Sequence, residues 1–527
     1  MRYLLILIVS SLLLTSCSND YHPAEIDFFE NDTIPLKEKI EKVLETQYLL
    51  EMGFTEEQSL WLQDYYGKHD YKPLWVNDST MAKSGVEIKE VLSRSLWFGI
   101  PETRLEIIKK KKKIWVEEEI ILTAQTALML NDLNNGFLNF IEKRYNSKNF
   151  VSVEYLDTML RQKKDSISYD RMFLKQGPAD TMFVFMKEKI YCYCKAYPLD
   201  KKEYDMRAFK LDSVHTYKKA IQSLVSKGYL KEGMDSLTYV GALKLFQIHN
   251  GLKPDGKVGQ HTATALNEST HNKILRAALV LDRMRQAQKY PEKHIRINIP
   301  EYLLRYYVKD SLKRVHNVIV GKPENQTPEL ISKVRNIVVY PYWKVPYSIA
   351  SKEILPEAKR NVKYFARNNF KVYRHDNEIN PYAVNWKKIK ENSFPYEVIQ
   401  QPGPENSLGI IKFEFHNNYS VYVHDTPTKY LFKTDVRAYS HGCMRCQDPV
   451  DLAKTILDYD SIRKKRNDIT ADSLDSLLTV GENYSIKLKD QIPIFVEYNT
   501  VSADRDNFIF HLDIYKRDEE YLKIVRE

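Results

Sequence analysis

Cysteine and long hydrophobic runs are both scarce in this sequence of 527 residues. Its five cysteines are too few for a scaffold held together by disulfides, which would carry more of them at this length. Cys192 and Cys194 lie in an apolar, tyrosine-rich stretch and are interpreted as buried structural thiols. Beyond the first 14 residues, no segment is apolar for the roughly 18 residues that a membrane-spanning helix needs. Neither disulfides nor a membrane domain can therefore be the basis of the fold.

A strong excess of one charge is also missing. The 79 basic residues stand against 70 acidic ones, for a net charge of +9, and the sequence contains no nucleic-acid-binding motif. The densest basic run, residues 109–113, is followed by three glutamates at 117–119, which is typical of a solvated helix end or loop. No nucleic-acid partner is predicted, and the mild charge favours anionic polymers or a membrane surface.

The N-terminus has the pattern of an export signal. Arg2 precedes a short apolar run at residues 3–14, and small residues then lead to Cys17. The stretch that ends at Cys17 resembles a bacterial lipobox, which implies a signal peptide over 1–17, cleavage before this cysteine and acylation of it. Two or three acyl chains suffice for a stable anchor. We therefore expect a periplasmic protein anchored by lipid to the inner or the outer membrane. A plain signal peptide or an uncleaved anchor are the alternatives.

The first half of the mature chain has a helical pattern. Residues 18–45 are polar and predict a tether from the membrane. Residues 46–210 carry apolar side chains at helical spacing, as at Ile88, Val91 and Leu92, and predict a helical scaffold domain. At this length about three domains are expected, so further domains should follow.

Residues 214–267 predict a compact module of three helices. A first helix ends at Gly228, Ser236 is placed to cap a second helix, and a turn at Gly251 precedes a short third one. The pattern that includes Gly228, Phe246 and Gly251 resembles the peptidoglycan-binding domain of wall hydrolases. The resemblance implies binding to the cell wall, and a generic helical bundle is the alternative.

After a linker helix predicted over 268–290, the sequence becomes β-rich. Alternating apolar residues, as at 294–299 and 315–320, predict half-buried antiparallel strands. Residues 291–518 thus predict one catalytic domain, and the stretch at 351–398 predicts a helical capping insertion over its sheet. The predicted fold class is multidomain α+β, with a helical N-terminal scaffold domain, a small three-helix domain and a β-rich catalytic domain.

His424 and Cys443 are the residues best suited to chemistry. A thiol at its ordinary pKa of about 8.5 is only slightly ionised at neutral pH, so acyl transfer needs a neighbouring imidazole to take the proton. His424 lies at the end of a predicted strand and Cys443 in a loop, where adjacent strands could bring them together. Gly442 would let the chain approach a developing oxyanion closely.

The surrounding motif closely resembles that of YkuD-type L,D-transpeptidases. His424 is followed, after 15 residues, by the string Ser440-His441-Gly442-Cys443-Met444-Arg445. Segments 336–346 and 402–409 also look like this family, which implies a β-rich YkuD-like domain. Upstream, residues 65–75 and 96–100 resemble the scaffold domain of its large, multidomain periplasmic branch.

The resemblance implies a role for each residue of the motif. Cys443 attacks the carbonyl of the third residue of a peptidoglycan stem peptide, commonly diaminopimelate, and expels the terminal D-alanine. A side-chain amine of a second stem peptide then resolves the thioester into a 3→3 cross-link. His424 is the general base, oriented by the backbone carbonyl of Asp425. No cofactor or metal is implied. The remaining candidates shape the nucleophile loop or contact the substrate: His441, Gly442, Ser440, Arg445, Asn406, Tyr342 and Trp343.

Several other functions stay open at this point. Cys443 and Cys446 form a Cys-x-x-Cys pair, which could be a redox pair or, with His441, a zinc site; otherwise Cys446 is a buried free thiol. Ser461 and Lys464 match a penicillin-binding motif without its Lys-Thr-Gly partner. A wall-binding lipoprotein without catalysis is the rival from another class. An L,D-carboxypeptidase or a protein-to-wall ligase would share the same first half-reaction.

Overall fold

The computed structural model describes residues 28–526, apart from residues 30, 32, 78–79, 107–113, 165–166, 234, 288, 310 and 463–468. The predicted signal peptide with Cys17 and the basic run at 109–113 lie outside the described residues. The chain folds as two compact units. The first comprises the described residues up to Ser95 together with Ile100–Phe137 and Asn146–Gly177, and the second comprises the rest.

The first unit is built from helices. Glu119, on the long central helix, accepts backbone N–H groups of Leu74, Trp75 and Val76 at 2.8, 2.8 and 3.1 Å, and so holds the preceding loop against that helix. The helix bounds are α1 Leu36–Val43, α2 Thr46–Met52, α3 Glu56–Lys68, α4 Lys83–Ser93, α5 Trp115–Asn135, α6 Val153–Lys164 and α7 Tyr169–Leu174.

Two predicted boundaries in this half of the chain are wrong. Residues 36–43, expected in a polar tether, form helix α1, because Ile40 and Val43 lie on one helical face and are fully buried. The scaffold expected to reach residue 210 ends at Gly177, since the next helix, α8 (Thr181–Ala196), belongs to the second unit.

The helical part of the second unit contains the three helices expected over 214–267: α9 (Ser213–Ser226), α10 (Ser236–His249) and α11 (Gln260–Asn267). Their core includes Leu243 and Phe246. The cap of α10 is Asp235, whose carboxylate accepts the Thr238 N–H at 2.8 Å, instead of the predicted Ser236.

Helix α12 (Thr270–Gln286) was expected to be a linker, but most of its residues are buried inside the second unit. Its Arg276 forms an ion pair with Glu268 at 2.7 Å and donates to the carbonyl of His511 at 2.7 Å. The helix is therefore a structural element of this unit that joins the helical module to the chain's last strands.

The strands that build the sheets lie in the second unit. They are β1 Leu138–Asn139, β2 Arg144–Tyr145, β3 Lys293–Asn298, β4 Leu303–Val308, β5 Ser311–Gly321, β6 Leu330–Val339, β7 Trp343–Lys344, β8 Phe370–Arg374, β9 Asn377–Ile379, β10 Glu397–Gln400, β11 Ile411–Phe415, β12 Val423–His424, β13 Ala438–Ser440, β14 Met444–Cys446, β15 Tyr484–Glu497, β16 Val501–Ala503 and β17 Phe508–Phe510.

The main sheet has the strand order β13-β5-β14-β12-β11-β6-β15-β3-β4, and a further pairing of β4 with β5 closes it into a barrel. Three pairs are parallel, namely β12 with β14, β13 with β5 and β15 with β3. The strands were predicted to be antiparallel, and these three pairs are the exceptions. Alternation of apolar residues reports burial on one face and does not distinguish the two directions of pairing.

The capping insertion is larger and less helical than predicted. It spans β7 to β10 and forms a second sheet of order β7-β10-β8-β9, with helical turns over 347–354 and helices α13 (Leu355–Arg360) and α14 (Lys363–Arg367). Its own core includes Phe365 and Trp386. The insertion thus starts near Trp343 instead of residue 351, because β7 pairs with β10 inside the small sheet.

Helices α15 (Pro449–Ile462), α16 (Ala471–Val480) and α17 (Asp518–Arg526) complete the described chain. Leu452 and Ile456 of α15 and Leu474 of α16 join the core of the barrel. Among the helices that the structure describes, none combines the length and the apolar character that crossing a bilayer would require.

Candidate active site

Three neighbouring strands bring the predicted chemical residues to one face of the barrel sheet. In the register of these strands, His424 on β12 lies opposite Arg445 on β14 and opposite Lys412 on β11. Val423 and Met444, which are also paired, point into the apolar core. Side chains alternate along a strand, so residues two positions apart share a face. The outward face therefore carries Tyr422 with His424, and Cys443 with Arg445.

The imidazole of His424 is buried and held in one tautomer. Its Nδ1 lies 2.5 Å from the carbonyl oxygen of Asp425, and a carbonyl only accepts hydrogen bonds, so Nδ1 carries the proton. Burial first, and then the positive charges of Arg445 and Lys412, lower the pKa of His424 from 6.5 to about 3, although its hydrogen bonds to the backbone of Asp425 and Leu408 act in the opposite direction. At neutral pH the ring is therefore uncharged, with Nε2 as the available base.

The thiol of Cys443 is half-buried, and its backbone is followed directly by β14. Burial raises its pKa above the ordinary value, while hydrogen bonds from the backbone and the hydroxyl of Tyr422, and the charges of Lys412 and Arg445, act in the opposite direction. The free protein therefore holds a neutral thiol and a neutral imidazole, so proton transfer belongs to the step in which the thiol attacks.

Hydrogen bonds hold the nucleophile loop from both sides. The Ser440 hydroxyl accepts the Gly442 N–H at 3.1 Å and donates to the Cys443 carbonyl at 2.5 Å. The Thr327 hydroxyl donates to the Gly442 carbonyl at 2.8 Å and accepts the Gly321 N–H at 2.9 Å. The loop conformation is thus fixed before any substrate arrives.

Glycine is needed at position 442 for a reason different from the predicted one. A β-carbon there would meet no atom closer than 3.6 Å, so space is not the constraint. The backbone φ angle is +113°, which residues with a side chain rarely adopt. The glycine therefore allows the turn that aims the next residue, Cys443.

One backbone donor at the nucleophile has no partner in the described part of the chain. The Gly442 N–H is taken by Ser440, and the Met444 N–H donates to the Tyr422 carbonyl at 3.0 Å. Between them, the Cys443 N–H makes no hydrogen bond to any described residue. It is free to meet an oxyanion that forms next to the thiol.

The guanidinium of Arg445 lies half-buried at the edge of this face. Its Nη1 donates to the Thr428 hydroxyl at 3.2 Å, and among the described residues no carboxylate lies within 4.0 Å of it. Burial lowers the pKa of Arg445, and a planar guanidinium can bind a carboxylate through two parallel hydrogen bonds. The arrangement is suited to an anionic ligand.

Comparison with known proteins bears on this site directly. Residues 292–466 match the YkuD family, described as an L,D-transpeptidase catalytic domain, and residues 60–180 match a scaffold domain. The chain carries a YkuD-type L,D-transpeptidase domain. The motif residues His424 and 440–445 lie inside the range 292–466 that matches the catalytic domain.

A relative with a curated name supports the same assignment. The "Putative L,D-transpeptidase" of Haemophilus influenzae is 32% identical over 225 residues, which are 42% of this chain and 44% of the relative. The match thus spans less than half the length of that protein.

Solved structures that resemble the chain do so only distantly. L,D-transpeptidase 3 from Mycobacterium tuberculosis is 10% identical over 39% of this chain and 61% of its own, with a TM-score of 0.19. The L,D-transpeptidase from Stackebrandtia nassauensis is 12% identical over 57% of this chain and 97% of its own, with a TM-score of 0.20. Scores this low carry no argument about the site.

His441 connects the transpeptidase domain to its capping insertion. Its Nε2 lies 2.6 Å from the Oε1 of Glu353, which belongs to the helical turns of the insertion. Both side chains are partly exposed. The geometry assigns His441 to the contact between the nucleophile loop and the insertion, in agreement with a role in shaping that loop.

Asn406 was predicted to contact substrate, and the structure uses its side chain for another purpose. Its amide nitrogen donates to the carbonyls of Gln401 at 2.9 Å and Pro341 at 3.2 Å, and its oxygen accepts the Leu408 N–H at 2.8 Å. The Asn406 side chain is buried, and both its amide hydrogens and its oxygen are hydrogen-bonded within the loop, so it holds the segment over 402–409. It is therefore not positioned to bind substrate as predicted.

The side chain of Asp425 also holds this loop. Its Oδ2 accepts the Ile410 N–H at 3.1 Å, and a β-carbon on Gly409 would overlap the carboxylate. The sequence prediction gave a role only to the backbone carbonyl of Asp425. The structure adds the side chain, which joins the end of β12 to the start of β11.

Tyr422 is the contact residue of the transpeptidase domain that sequence reasoning missed. Its hydroxyl hydrogen-bonds the thiol of Cys443 and the side chain of Trp343, and its ring packs edge-on against His424 with centroids 5.6 Å apart. The predicted substrate residue Trp343 thus reaches the site through Tyr422, whereas Tyr342 is exposed. The sequence could have indicated Tyr422, because a residue two positions before His424 on a strand lies on the same face as His424.

The other cysteines lie away from this face. Cys446 points into the apolar core, opposite to Cys443, so the Cys-x-x-Cys pair is not arranged for a disulfide, and Cys446 is the expected buried thiol. Among the described residues, no group of three His, Cys, Asp or Glu side chains could hold a metal. Cys194 is buried but Cys192 is exposed, which corrects half of that prediction. The Ser461 motif lies largely outside the described residues.

Proposed function

We propose that this protein is an L,D-transpeptidase that forms 3→3 cross-links between peptidoglycan stem peptides. The observation that carries the proposal is a single sheet face of a YkuD-type domain. On this face His424 and Arg445 are paired on the parallel strands β12 and β14, and Cys443 directly precedes β14. The thiol supplies the nucleophile, the fixed imidazole supplies a base, and the guanidinium lacks a carboxylate partner among the described residues.

In the first half-reaction, the thiol of Cys443 adds to the carbonyl carbon between the third stem residue and D-alanine. Nε2 of His424 takes the thiol proton, and the Cys443 N–H donates to the oxyanion. The intermediate collapses, the C–N bond breaks, and His424 returns the proton to the departing D-alanine amine. A substrate carboxylate bound at Arg445 would offset its charge, raise the pKa of His424 and so make it a better base.

In the second half-reaction, the side-chain amine of another stem peptide attacks the thioester carbon. His424 takes a proton from the amine, the C–S bond breaks, and the thiol is released in its protonated form. Water in place of the amine would make the enzyme an L,D-carboxypeptidase, and an amine on a protein would make it a protein-to-wall ligase. The cysteine chemistry is the same in all three.

Two further properties belong to the proposal. The three-helix module over 214–267 would bind the cell wall, and acyl chains on Cys17 would keep the protein at a bacterial membrane facing the periplasm. A wall-binding lipoprotein without catalysis is the alternative from another class, and the buried, tautomer-fixed His424 argues for the enzyme.

The test is intact mass spectrometry of purified residues 18–527 mixed with disaccharide-tetrapeptide, alongside Cys443→Ala. Release of D-alanine with a 3→3 dimer, absent in the variant, is the expected result. A tripeptide product alone would indicate a carboxypeptidase. Absence of both turnover and adduct in the unmodified protein would support the wall-binding alternative.

A further inference from the structure

The peptide group between Gly442 and Cys443 has one hydrogen-bonding atom that is held and one that is not. Its carbonyl oxygen, from Gly442, accepts the Thr327 hydroxyl at 2.8 Å. Its N–H, from Cys443, makes no hydrogen bond to any described residue. The described chain contains no cis peptide bond, and in a planar trans peptide the C=O and the N–H point in opposite directions. Thr327 therefore holds one end of the group whose other end meets the oxyanion.

This hydrogen bond fixes the direction of the Cys443 N–H. A rotation of the peptide plane would turn the N–H away from its present direction and would also break the bond to Thr327. The same bond polarises the peptide group, because hydrogen bonds in a chain strengthen one another. A hydroxyl on the far side of the peptide group thus both orients the Cys443 N–H and makes it a stronger donor.

The connection between β5 and β6, which carries Thr327, lies directly against the nucleophile loop. Strand β5 pairs with β13 at Gly321 and Ser440. A β-carbon on Gly442 would lie 3.6 Å from the carbonyl oxygen of Gln326, so the two segments are in close contact. A shift of Thr327 would therefore displace the Gly442 carbonyl that its hydroxyl holds.

Tyr515, from the last part of the chain, fixes the position of Thr327. Its hydroxyl accepts the Thr327 N–H at 3.1 Å and donates to the Gly321 carbonyl at 2.5 Å. The Thr327 hydroxyl accepts the N–H of the same Gly321 at 2.9 Å. These three residues form a closed ring of hydrogen bonds, and Tyr515 is buried, so the ring is shielded from water.

Arg517 holds the same segment from the other end of the Thr327 backbone. Its Nη2 donates to the Thr327 carbonyl at 3.0 Å, and its Nη1 lies 2.8 Å from Oε1 of Glu329. The guanidinium also lies over the rings of Tyr498 and Tyr515, at 4.7 and 5.0 Å from their centroids. The N–H of Thr327 is thus held by one residue of the C-terminal segment and its carbonyl by another.

Tyr498 in turn holds Tyr515. The Tyr498 hydroxyl accepts the Tyr515 N–H at 2.8 Å and donates to the Asp513 carboxylate at 2.5 Å. The two tyrosine rings stack with their centroids 5.5 Å apart. The C-terminal segment therefore reaches Thr327 in a conformation that its own contacts define.

We propose that Tyr515 and Arg517 are positioning residues for acyl transfer, acting through Thr327 to aim the Cys443 N–H at the oxyanion. When the thiol sulfur bonds to the substrate's carbonyl carbon, the C=O π electrons move to the oxygen, which accepts the Cys443 N–H, and Nε2 of His424 takes the thiol proton. Because the oxyanion is absent from the bound ground state, the alignment should affect kcat and not KM. With stem peptides as substrate, this inference rests on the proposed function.

The experiment compares Tyr515→Phe with unmodified protein, both as residues 18–527. The variant keeps the stacked ring and loses only the hydroxyl. For D-alanine release from disaccharide-tetrapeptide, kcat should fall about tenfold with KM unchanged, less than the roughly hundredfold loss that removal of a whole oxyanion donor causes. Alkylation of Cys443 by iodoacetamide forms no oxyanion, so its rate should stay the same. A matching fall in acylation and alkylation would show a displaced thiol and overturn the proposal.

Acetylation of Cys443 by p-nitrophenyl acetate separates this inference from the proposed function. The thiol sulfur bonds to the acetyl carbon through an oxyanion, the ester C–O bond breaks, and p-nitrophenolate leaves, so no stem peptide is needed. Peptide mass spectrometry follows Cys443 alone. Slower acetylation in Tyr515→Phe with unchanged alkylation would support the positioning role even without turnover of stem peptides. Equal acetylation in both proteins would overturn it and leave the transpeptidase proposal intact.

Tyr521→Phe is the matched control, because its hydroxyl also belongs to the C-terminal segment and donates to a backbone carbonyl, that of Phe140, at 3.1 Å. It should change none of the rates. Thr327→Ser keeps the hydroxyl on Gly442 and should retain acetylation, whereas Thr327→Val should lose it; equal rates in these two variants would contradict the network. If Tyr515→Phe does not fold, Arg517→Met takes its place, with the same two outcomes.

Discussion

At the scale of single residues, Tyr422 changes how the nucleophile is understood. The motif around Cys443 suggests that a histidine alone tunes the thiol. In the structure the Tyr422 hydroxyl and backbone stabilise the thiolate by hydrogen bonding, against the larger effect of burial. Trp343 in turn holds the Tyr422 hydroxyl. Trp343, a residue of the capping insertion, is therefore linked to the Cys443 thiol through the side chain of Tyr422.

We expect Tyr422→Phe to raise the pKa of Cys443, because the variant loses a donor to the thiolate. The measurement is the pH dependence of Cys443 alkylation by iodoacetamide, followed by peptide mass spectrometry. The midpoint should move to higher pH. Tyr419→Phe removes an exposed hydroxyl and should leave the midpoint in place. An unchanged or lower midpoint in Tyr422→Phe would contradict this account.

Gly409 is the second residue whose identity the structure explains. It has φ of +60°, and an added methyl would overlap the Asp425 carboxylate, which holds the loop to β12. Gly409→Ala should lower the free energy of unfolding by about 3 kcal/mol, from strain and overpacking together. Urea denaturation measures the change. Gly241→Ala, in open space within helix α10, should be neutral or slightly stabilising, and similar losses in both variants would argue against the overlap.

At the scale of elements, the nucleophile loop depends on a segment distant in sequence. Thr327, in the connection between β5 and β6, bridges the Gly321 N–H and the Gly442 carbonyl with one hydroxyl. The N–H of Thr327 donates to the Tyr515 hydroxyl at 3.1 Å. The loop that carries Cys443 is thus braced by the strand connection beside it, and no local motif encodes this support.

Thr327→Val should reduce both stability and turnover, since it leaves a buried N–H and a buried carbonyl without their partner. The expected cost is about 1–3 kcal/mol in the free energy of unfolding, measured by urea denaturation. Thr327→Ser keeps the hydroxyl and should retain most of the stability. If the serine variant lost as much as the valine variant, the methyl group and not the hydrogen bonds would be responsible.

At the scale of the whole molecule, buried histidines couple the fold to pH. His511 lies where the helical module meets the last strands: its Nε2 is 2.8 Å from the Ser502 hydroxyl, and a β-carbon on Gly251 would lie 3.0 Å from its Nδ1. Burial lowers the pKa of His511 from 6.5 to about 4. The folded state therefore keeps this ring neutral at a pH where the unfolded state protonates it.

The sign of the effect follows from linkage. As pH falls below 6.5 the unfolded chain binds the proton first, so stability is lost progressively until the folded ring titrates near pH 4. Between pH 7 and 5, His511 should account for about 2 kcal/mol of lost unfolding free energy. His511→Gln should make urea midpoints less dependent on pH in this range. Exposed His375→Gln is the control, and the same pH dependence in both variants would refute the assignment.

Particular residues show which parts of the fold and of the active site the sequence alone could predict. His424, Cys443 and their neighbours stand in a short motif whose spacing is read directly from the chain, and the three helices over 214–267 follow from local periodicity and turn residues. These features are local, so their physical causes lie within a few residues of one another. Helix α1 shows the limit even here, because its polar composition hid a buried face.

Tertiary structure alone decided the parallel pairing of β12 with β14, the hydrogen bonds that occupy the Asn406 side chain and the support of the nucleophile loop by Thr327. Each depends on which distant strands become neighbours and in what register, and a shift of one residue would send Tyr422 and Lys412 to the opposite face. The sequence by itself determined which residues can do the chemistry. Only the fold determined what surrounds them, because long-range contacts set burial, charge and hydrogen bonding at the site.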